Sequence, residues 1–335
     1  MKTLRLSDGA EGLSAAAQIL KNGGIVAIPT ETVYGLAASA LDTDAIERVF
    51  LAKGRPQDNP LIVHISDMEK LSFVARDIPD DAFALAEKFW PGPLTMVLPR
   101  NENIPKSVSA GLETVAVRMP SHPVAREIIE RSGLPLAAPS ANLSGSPSPT
   151  KASHVLSDLD GKIDAVVMSG RSAVGVESTV VSLVCNPPRL LRPGGVTVEQ
   201  LREILPDLVI DSAVLSEADA SRPVASPGMK YKHYSPKTRL VLVDADAEQF
   251  RDYVNQKTDC GAICFEEDSG ITCPTAVYGS EQDDASQAGG VFSALRAADS
   301  MGVSTVYVHA PRKSGIGLAV YNRLVRAAAF KVVEL

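Results

Sequence analysis

Cysteine is scarce in this sequence. The four cysteines among 335 residues, Cys185, Cys260, Cys264 and Cys273, form no Cys-x-x-Cys pair. A disulfide framework in a chain of this length would need more cysteines, and zinc motifs commonly use such pairs. We therefore expect reduced, mostly buried thiols in a cytoplasmic protein.

Long hydrophobic runs are also missing. No stretch is long enough to span a bilayer, and the N-terminal segment lacks the apolar core of a signal peptide. The net charge of −7 argues against a protein whose main task is to coat nucleic acid, although a local basic cleft is compatible with it. We expect a cytoplasmic location, no membrane association and no stable binding of nucleic acid.

Several common catalytic signatures are absent as well. No cluster of His, Cys and Asp has metal-ligand spacing, so a protein-held metal centre is poorly supported. There is no Gly-x-Ser-x-Gly elbow, although a Ser-His-Asp triad stays open. There is no Gly-x4-Gly-Lys-Ser/Thr loop, so any ATP would bind without a P-loop. Paired acids of the kind that a glycoside hydrolase needs are poorly represented in the loops.

The residues that are present indicate a folded α/β protein. Hydrophobic residues make up 45% of the chain and charged residues 22%, which allows a substantial core, and the length suggests about two domains. Strand and helix patterns alternate over residues 1–210, where they predict, among others, a helix over 123–132 and a strand over 165–168. They restart over 239–335, where their order indicates a small, mainly parallel sheet of doubly wound type. Residues 211–238 lose this periodicity but carry aromatics and cations, so we interpret them as an ordered linker that contacts another part of the protein.

Cations, hydroxyls and amides collect at the loop ends of the first unit. They are Thr32, Lys53, Arg55, Asn59, His64, Arg118, Ser140, Asn142, Ser178 and Arg192. Such groups suit a phosphate-bearing ligand, with Mg²⁺ carried by the phosphates rather than by a protein cage. Two alternatives remain open at this point. Lys-Gly-Arg-Pro at 53–56 is also an ordinary helix stop, and the Ser- and Pro-rich segment 139–149 is also typical of a solvated connector.

Several of these segments together resemble one family, the YrdC-like threonylcarbamoyl-AMP synthases. The matching motifs are Pro-Thr-Glu-Thr-Val-Tyr-Gly at 29–35, Lys-Gly-Arg-Pro-x-x-Asn-Pro-Leu at 53–61, Ser-Ala-Asn at 140–142, Gly-Val-Glu-Ser-Thr-Val at 175–180 and Leu-Arg-Pro-Gly at 191–194. The segment Ser-Pro-Gly-Met-Lys-Tyr-Lys-His-Tyr-Ser-Pro at 226–236, followed by an α/β unit, resembles the longer, two-domain form. The resemblance covers essentially the whole chain.

The resemblance implies both an architecture and a reaction. The architecture is a YrdC-like catalytic domain at 1–210 with a twisted, open mixed sheet, a lid over the active site at 211–238, and a smaller Rossmann-like parallel α/β domain at 239–335. The reaction joins L-threonine, bicarbonate and ATP into threonylcarbamoyl-AMP and pyrophosphate. The product would pass to the machinery that transfers the threonylcarbamoyl group to tRNA.

The resemblance also implies roles for individual residues. Lys53 and Arg55 would bind the triphosphate and act as the catalytic cations. The further nucleotide contacts would be Asn59, Thr114, Ser140, Asn142, Ser148, Arg192 and the linker residue Ser226. The threonine-binding set would be Thr32, His64, Arg118, Ala138 and Ser178, with Arg118 as the partner of the carboxylate. We expect His64 to orient threonine rather than act as a base, although a lone histidine on an apolar strand is often a core residue.

Three other functions compete with this prediction. A basic concave surface could bind double-stranded RNA, which the net charge disfavours. The hydrogenase maturation factors share the YrdC-like domain but carry Cys-x-x-Cys repeats that this sequence lacks. The C-terminal unit could itself bind a nucleotide, but no Gly-x-Gly-x-x-Gly follows its first strand, so a structural or gating role is preferred.

Overall fold

Two β-sheets with flanking helices build the protein. A computed structural model describes residues 2–216 and 234–335. One sheet is large and mixed and the other is small and wholly parallel, which confirms the predicted fold class. Within the described residues, no helix combines the length and the apolarity needed to cross a bilayer.

The large sheet contains eleven strands among residues 2–216. They are β1 (Leu4–Ser7), β2 (Val26–Ile28), β3 (Gly35–Ser39), β4 (Ile62–His64), β5 (Leu94–Pro99), β6 (Thr114–Arg118), β7 (Leu136–Ala137), β8 (Ala165–Met168), β9 (Thr179–Ser182), β10 (Arg189–Arg192) and β11 (Val209–Ile210). Their order across the sheet is β1-β8-β2-β3-β7-β4-β6-β5-β9-β10-β11. Most strands are buried on both faces, which explains why they read as short, continuous apolar runs.

Seven helices in the same part of the chain cover this sheet. They are α1 (Ala10–Lys21), α2 (Thr43–Lys53), α3 (Leu71–Val74), α4 (Asp80–Phe89), α5 (Pro123–Ser132), α6 (Ala152–Leu159) and α7 (Val198–Arg202). Asp42 caps α2 by accepting from the amides of Asp44 and Ala45, and Gly54 ends it in the left-handed conformation with φ of 59°. The α2 helix therefore ends at Lys53, whose side chain is buried.

The small sheet begins at residue 239. Its strands are β12 (Arg239–Asp244), β13 (Cys260–Cys264), β14 (Thr275–Val277), β15 (Thr305–His309) and β16 (Val332–Glu334), in the order β14-β13-β15-β12-β16. Its helices are α8 (Ala247–Asn255), α9 (Asp284–Ala298) and α10 (Gly317–Ala327). Alternation of strand and helix with parallel pairing gives a Rossmann-like unit.

The two units pack closely through α9 and α10. Arg296 of α9 forms a two-pronged ion pair with Asp158 of α6, with nitrogen–oxygen distances of 2.8 and 3.0 Å. The side chain of Asn322 in α10 donates to the carbonyl of Val214 at 2.6 Å. The apolar core of the C-terminal unit also includes Val176 from the first unit. The apolar packing therefore extends across the boundary between the two units.

The structure adds elements that the sequence patterns did not predict. These are β1, β3, α6, β11 and β16. Strand β3 is the most important of them, because it pairs with both β2 and β7 and its Gly35 forms an isolated bridge to Ser140. The linker predicted at 211–238 lies largely outside the described residues, which resume at Tyr234.

Candidate active site

A cavity opens beside the middle of the large sheet. Strands β4 and β6 run parallel there, and their last residues, His64 and Arg118, are register partners. Loops from the neighbouring strands close the remaining walls. The predicted site residues among its lining are Thr32, Lys53, Arg55, His64, Arg118, Ala138, Ser140, Asn142, Ser148, Ser178 and Arg192. The structure thus brings together residues that are far apart in the sequence, from Thr32 to Arg192.

Lys53 forms one end of the cavity. Its side chain is buried and its Nζ donates to the carbonyl of Asn142 at 2.6 Å and to the carbonyl of Ser140. Burial, together with the nearby Arg55 guanidinium, lowers the pKa of Lys53 well below its usual value. An anion placed between these two cations would relieve this electrostatic cost, so the arrangement favours a phosphate or carboxylate ligand.

Arg55 and Asn59 lie in the loop after α2. The Nη2 of Arg55 donates to the carbonyls of Pro60 at 3.1 Å and of Asn59 at 3.4 Å. Arg55 lines the cavity, whereas Asn59 is buried behind it and is not part of the lining. Asn59 therefore supports the arginine through its main chain.

The loop from Ser140 to Ser148 forms a second wall next to Lys53. The side-chain amide of Asn142 donates to the carbonyls of Leu143 at 2.7 Å and Ser146 at 2.9 Å, which fixes the loop on itself. Ser148 is fully buried and its hydroxyl donates to Oε1 of Glu177. The segment is an ordered wall of the cavity, not a solvated connector.

The opposite end of the cavity is centred on Arg118. This buried side chain donates from Nη1 to Oγ1 of Thr32 at 2.9 Å and from Nε to the carbonyl of Gly92 at 3.2 Å. Its Nη2 lies 2.6 Å from Oε1 of Glu31. Burial alone would raise the pKa of Glu31, but Arg118 outweighs that effect and holds the pKa below its usual value. The carboxylate fixes Arg118 in place while the guanidinium still faces the cavity.

His64 and Ser178 complete this end. Burial, with Arg118 close by, lowers the pKa of His64 to about 3, so the ring is neutral near neutral pH. Its Nδ1 lies 3.2 Å from the carbonyl of Ile62 and is suited to donate to it. Ser178 is fully buried, lies 2.7 Å from the hydroxyl of Thr95, and accepts from Nη2 of Arg192 at 3.1 Å. Ser178 thereby connects the Arg118 end of the cavity to Arg192.

Besides Asn59, two of the predicted residues are not among the described residues that line the cavity. Thr114 is at the start of β6, four residues and about 13 Å from Arg118 at its end, and it does not line the cavity. Ser226 lies outside the described residues.

Sequence reasoning missed Glu31, Glu177 and Tyr234, which the structure places in or behind the cavity wall. Glu177 and Tyr234 line it, and Glu31 holds Arg118 from behind. Both glutamates stand inside motifs already recognised at 29–35 and 175–180, but nothing in those motifs reveals their arginine partners. Within 2–216 and 234–335, no three His, Cys, Asp or Glu side chains are grouped so that they could hold a metal ion.

The fold and the site together define a class of protein. It is an α/β protein with a mixed sheet, a cationic cleft at the ends of two parallel strands, and a second Rossmann-like unit packed against that cleft. The cleft has cations at one end and a fixed guanidinium at the other, and such groups can bind phosphates and carboxylates.

Comparison with known proteins identifies the family. A family model described as "Telomere recombination", for the Sua5, YciO and YrdC proteins, matches residues 18–194. A second model, "Threonylcarbamoyl-AMP synthase, C-terminal domain", matches residues 196–329. The threonylcarbamoyl-AMP synthase of Pyrococcus abyssi is 43% identical, over 96% of this chain and 95% of its own length. The one from Bacillus subtilis is 42% identical, over 99% and 97% respectively.

Solved structures agree with this result. The crystal structure of P. abyssi Sua5 complexed with L-threonine superposes with a TM-score of 0.93 and 39% identity, over the full length of both chains. Escherichia coli YciO, at 23% identity and a TM-score of 0.52, covers 58% of this chain and 95% of its own, and shares the fold of the first unit. The chain belongs to the threonylcarbamoyl-AMP synthase family, in its two-domain form.

Proposed function

We infer that this chain is an L-threonylcarbamoyladenylate synthase. It converts L-threonine, bicarbonate and ATP into threonylcarbamoyl-AMP and pyrophosphate. One observation carries the inference: a single cavity combines a buried lysine and an arginine at one end with a fixed arginine and hydroxyls at the other. The family membership of the chain supports it, and so does the solved relative that is described as complexed with L-threonine.

The chemistry requires two bond-forming steps. The neutral amine of threonine attacks the carbon of CO2, supplied by bicarbonate, and loses a proton to give a carbamate. A carbamate oxygen then attacks the α-phosphorus of ATP, and the bond from that phosphorus to the bridging oxygen of pyrophosphate breaks. Both steps depend mainly on positioning and on neutralising charge. An inventory of cations and hydroxyls without an acid–base pair suits this chemistry.

We assign the nucleotide to the Lys53 end. Lys53 and Arg55 contact the triphosphate and stabilise the charge that builds up on it. The remaining nucleotide-binding side chains are Ser140, Asn142, Ser148 and Arg192, with Ser226 added from the linker. Asn59 acts through Arg55, because the main-chain carbonyl of Asn59 accepts a hydrogen bond from the guanidinium of Arg55. Thr114 is left out of the proposed set because it lies away from the cavity.

We assign threonine to the Arg118 end. The guanidinium binds the carboxylate of the substrate, and Glu31 holds it in position from behind. Thr32, Ser178 and the neutral ring of His64 surround the amine and the side chain, and Ala138 closes the wall. His64 orients the substrate and is not the base, because burial keeps the pKa of its ring at about 3.

The other proposed partners follow from the reaction. A divalent metal, which we take to be Mg²⁺, enters with the phosphates as part of the substrate. The product passes to the machinery that transfers the threonylcarbamoyl group to tRNA, and the protein works in the cytoplasm, where ATP and tRNA are found. A double-stranded RNA-binding module without this activity is the second candidate, and the net charge of −7 disfavours it.

We further propose that residues 1–210 are the catalytic domain, that 211–238 act as a lid, and that 239–335 support the lid. Tyr234, the first described residue after the gap, is buried and lines the cavity. The amide of Ser235 donates to the carbonyl of Gly145 at 2.9 Å, and its hydroxyl donates to the carbonyl of Ala327 at 2.8 Å. The linker thus ends fixed between both units, where it can limit the access of water.

Product analysis tests the function. The full chain is incubated with ATP, Mg²⁺, bicarbonate and threonine, and mass spectrometry is used to detect threonylcarbamoyl-AMP. We expect Lys53→Met to lower kcat/KM by about a hundredfold or more, as loss of a phosphate-binding cation commonly does. Lys21→Met is the matched control, because Lys21 also ends a helix but is exposed. Equal activity of the Lys53 and Lys21 variants would contradict the assignment.

A further inference from the structure

A buried arginine from the C-terminal unit reaches the wall of the cavity. Arg323 lies on α10, and its side chain is 0% exposed. Its Nε donates to Oε2 of Glu177 at 2.8 Å, and its Nη1 donates to the carbonyl of Pro193 at 2.9 Å. Glu177 and Pro193 belong to two of the motifs that build the cavity of the first unit, so Arg323 connects both of them to α10.

Glu177 faces the cavity from the other side of this ion pair. Its Oε1 accepts a hydrogen bond from the hydroxyl of Ser148, while its Oε2 accepts one from Nε of Arg323. Burial acts to raise the pKa of Glu177, but Arg323 and then Arg192 outweigh that effect and hold the pKa below its usual value. The carboxylate is therefore ionised next to the groups that we assign to the nucleotide.

The charge balance of this wall depends on Arg323. Glu177 has two arginines near it, Arg323 from behind and Arg192 within the cavity. Because Arg323 neutralises the carboxylate, Arg192 keeps its positive charge available to an anion in the cavity. Without Arg323, Glu177 would be a buried and uncompensated anion, and it would attract Arg192 and repel phosphate. A phosphate-binding site beside a buried carboxylate thus requires a second cation.

The guanidinium is also held in a single place. Its Nη1 donates to Oδ1 of Asn322 at 3.0 Å, and the guanidinium carbon lies 5.6 Å from the ring centre of Tyr234, which itself lines the cavity. An arginine with fixed donors on several sides keeps Glu177 in one orientation, with its second oxygen on Ser148.

We propose that Arg323 is a positioning residue for nucleotide binding. It neutralises and orients Glu177 from the C-terminal unit, so that Ser148 and Arg192 are arranged for the phosphates or the nucleoside of ATP. The proposal rests on the function proposed above, and it assigns to the C-terminal unit a direct part in completing the site. It predicts that loss of Arg323 affects ATP and leaves threonine largely unaffected.

The test compares four full-length variants with the wild type. Calorimetry gives the Kd of MgATP, and initial rates give the KM of ATP and of threonine. We expect Arg323→Met to weaken ATP binding by about tenfold or more and to change the KM of threonine by less than about twofold. Arg171→Gln is the matched control, because Arg171 also crosses the interface, to the carbonyl of Gly289, without contacting Glu177. It should leave both constants unchanged.

Two further variants separate positioning from a merely structural role. The double variant Glu177→Gln/Arg323→Met removes both charges, and we expect it to recover most of the ATP affinity that Arg323→Met loses. Arg323→Lys keeps a cation beside Glu177 but loses the fixed donors of the guanidinium, and we expect its ATP affinity to lie between those of the wild type and Arg323→Met. If Arg323→Met does not fold, Arg323→Lys decides the matter, because it is then expected to weaken ATP binding while leaving the KM of threonine within about twofold of the wild type.

Several outcomes would overturn the proposal. One is an unchanged Kd for ATP in Arg323→Met, and another is an increase in the KM of threonine as large as the increase in the Kd of ATP. A third is a double variant that binds ATP as weakly as Arg323→Met. ATP binding in Arg323→Lys that is as weak as in Arg323→Met would also overturn it. The measurement of Kd does not depend on turnover. Failure of this proposal can therefore be distinguished from failure of the proposed function. If the wild type binds ATP but forms no threonylcarbamoyl-AMP, the proposed function fails while the role of Arg323 is still decided by Kd.

Discussion

Lys53 combines burial with a cationic neighbour, and this combination has a measurable consequence. Its pKa lies well below the usual value because burial and Arg55 both disfavour the charged form. A bound triphosphate would raise that pKa again, so at a pH between the pKa of the free enzyme and that of the complex we expect ATP binding to take up a proton. The affinity for ATP should fall as the pH rises through the pKa of the free enzyme.

Calorimetry of ATP binding in two buffers of different ionisation enthalpy tests this linkage. At alkaline pH, where ATP itself is fully ionised, we expect the wild type to take up protons. Lys53→Arg should take up none, because arginine stays protonated at these pH values. Binding enthalpies of the wild type that are the same in both buffers throughout the alkaline range would refute the linkage.

His64 offers a second test at the same scale. The ring is neutral and buried at the end of the cavity that we assign to threonine. We expect His64→Ala to raise the KM of threonine by about tenfold, which corresponds to about 1.4 kcal/mol. The pH dependence of kcat should not change, because the ring does not titrate near neutral pH. A KM for threonine equal to that of the wild type would show that His64 is only a core residue.

The sequence motifs predicted most of the residues that line the cavity, from Thr32 to Arg192. They did so because the motifs of a family indicate which loops lie together in its fold. Composition and periodicity alone do not give this information. The pairing of Glu177 with Arg323 could not be predicted in this way, since the two residues are 146 positions apart and the arginine stands on an ordinary amphipathic helix. The partner of a buried charge is fixed by tertiary packing, which one sequence does not reveal.

At the scale of the element, the end of α2 positions Lys53 and Arg55, the cations that we assign to the triphosphate. Gly54 has φ of 59°, and a Cβ added there would have no atom within 4 Å, so only the backbone conformation restricts the residue type. We expect Gly54→Ala to lower the free energy of unfolding by about 1 kcal/mol. Gly54→Asn should cost less, because asparagine tolerates the left-handed region. Urea unfolding measures both, and an alanine variant as stable as the wild type would contradict this explanation of the helix end.

Long helices and apolar strands were predictable, whereas several short elements were not. α5 and β8 begin and end at their predicted residues, because their patterns are regular. Strand β3 reads Gly-Leu-Ala-Ala-Ser, and small residues give little strand signal. Its place in the sheet comes from pairing with β2 and also with β7, which is distant in the sequence.

For the whole molecule, close contact between the units is the feature to test. Gly175 has φ of 83°, and a Cβ there would lie 2.4 Å from the carbonyl oxygen of Ala288 and 2.6 Å from the Cα of Gly289. Both are backbone atoms of α9 and cannot move aside. Gly175→Ala should therefore separate α9 from the Gly-Val-Glu-Ser loop, destabilise the protein by about 2 kcal/mol or more, and weaken ATP binding.

Gly302→Ala provides the matched control for this substitution. Gly302 also has a positive φ, of 69°, but no atom lies within 4 Å of a Cβ there. Gly302→Ala should lower the free energy of unfolding by about 1 kcal/mol, which is the cost of the backbone conformation alone. Its ATP affinity should equal that of the wild type. If the two variants bound ATP equally well, the contact between the units would have no part in the site.

The central claim is that one cavity joins threonine, a one-carbon unit and the adenylate of ATP. Mass spectrometry of the full chain with isotopically labelled bicarbonate, MgATP and threonine tests it most directly. We expect labelled threonylcarbamoyl-AMP with an equal amount of pyrophosphate, and little pyrophosphate when threonine is omitted. Pyrophosphate release that is independent of threonine, or an adenylate without the label, would contradict the claim.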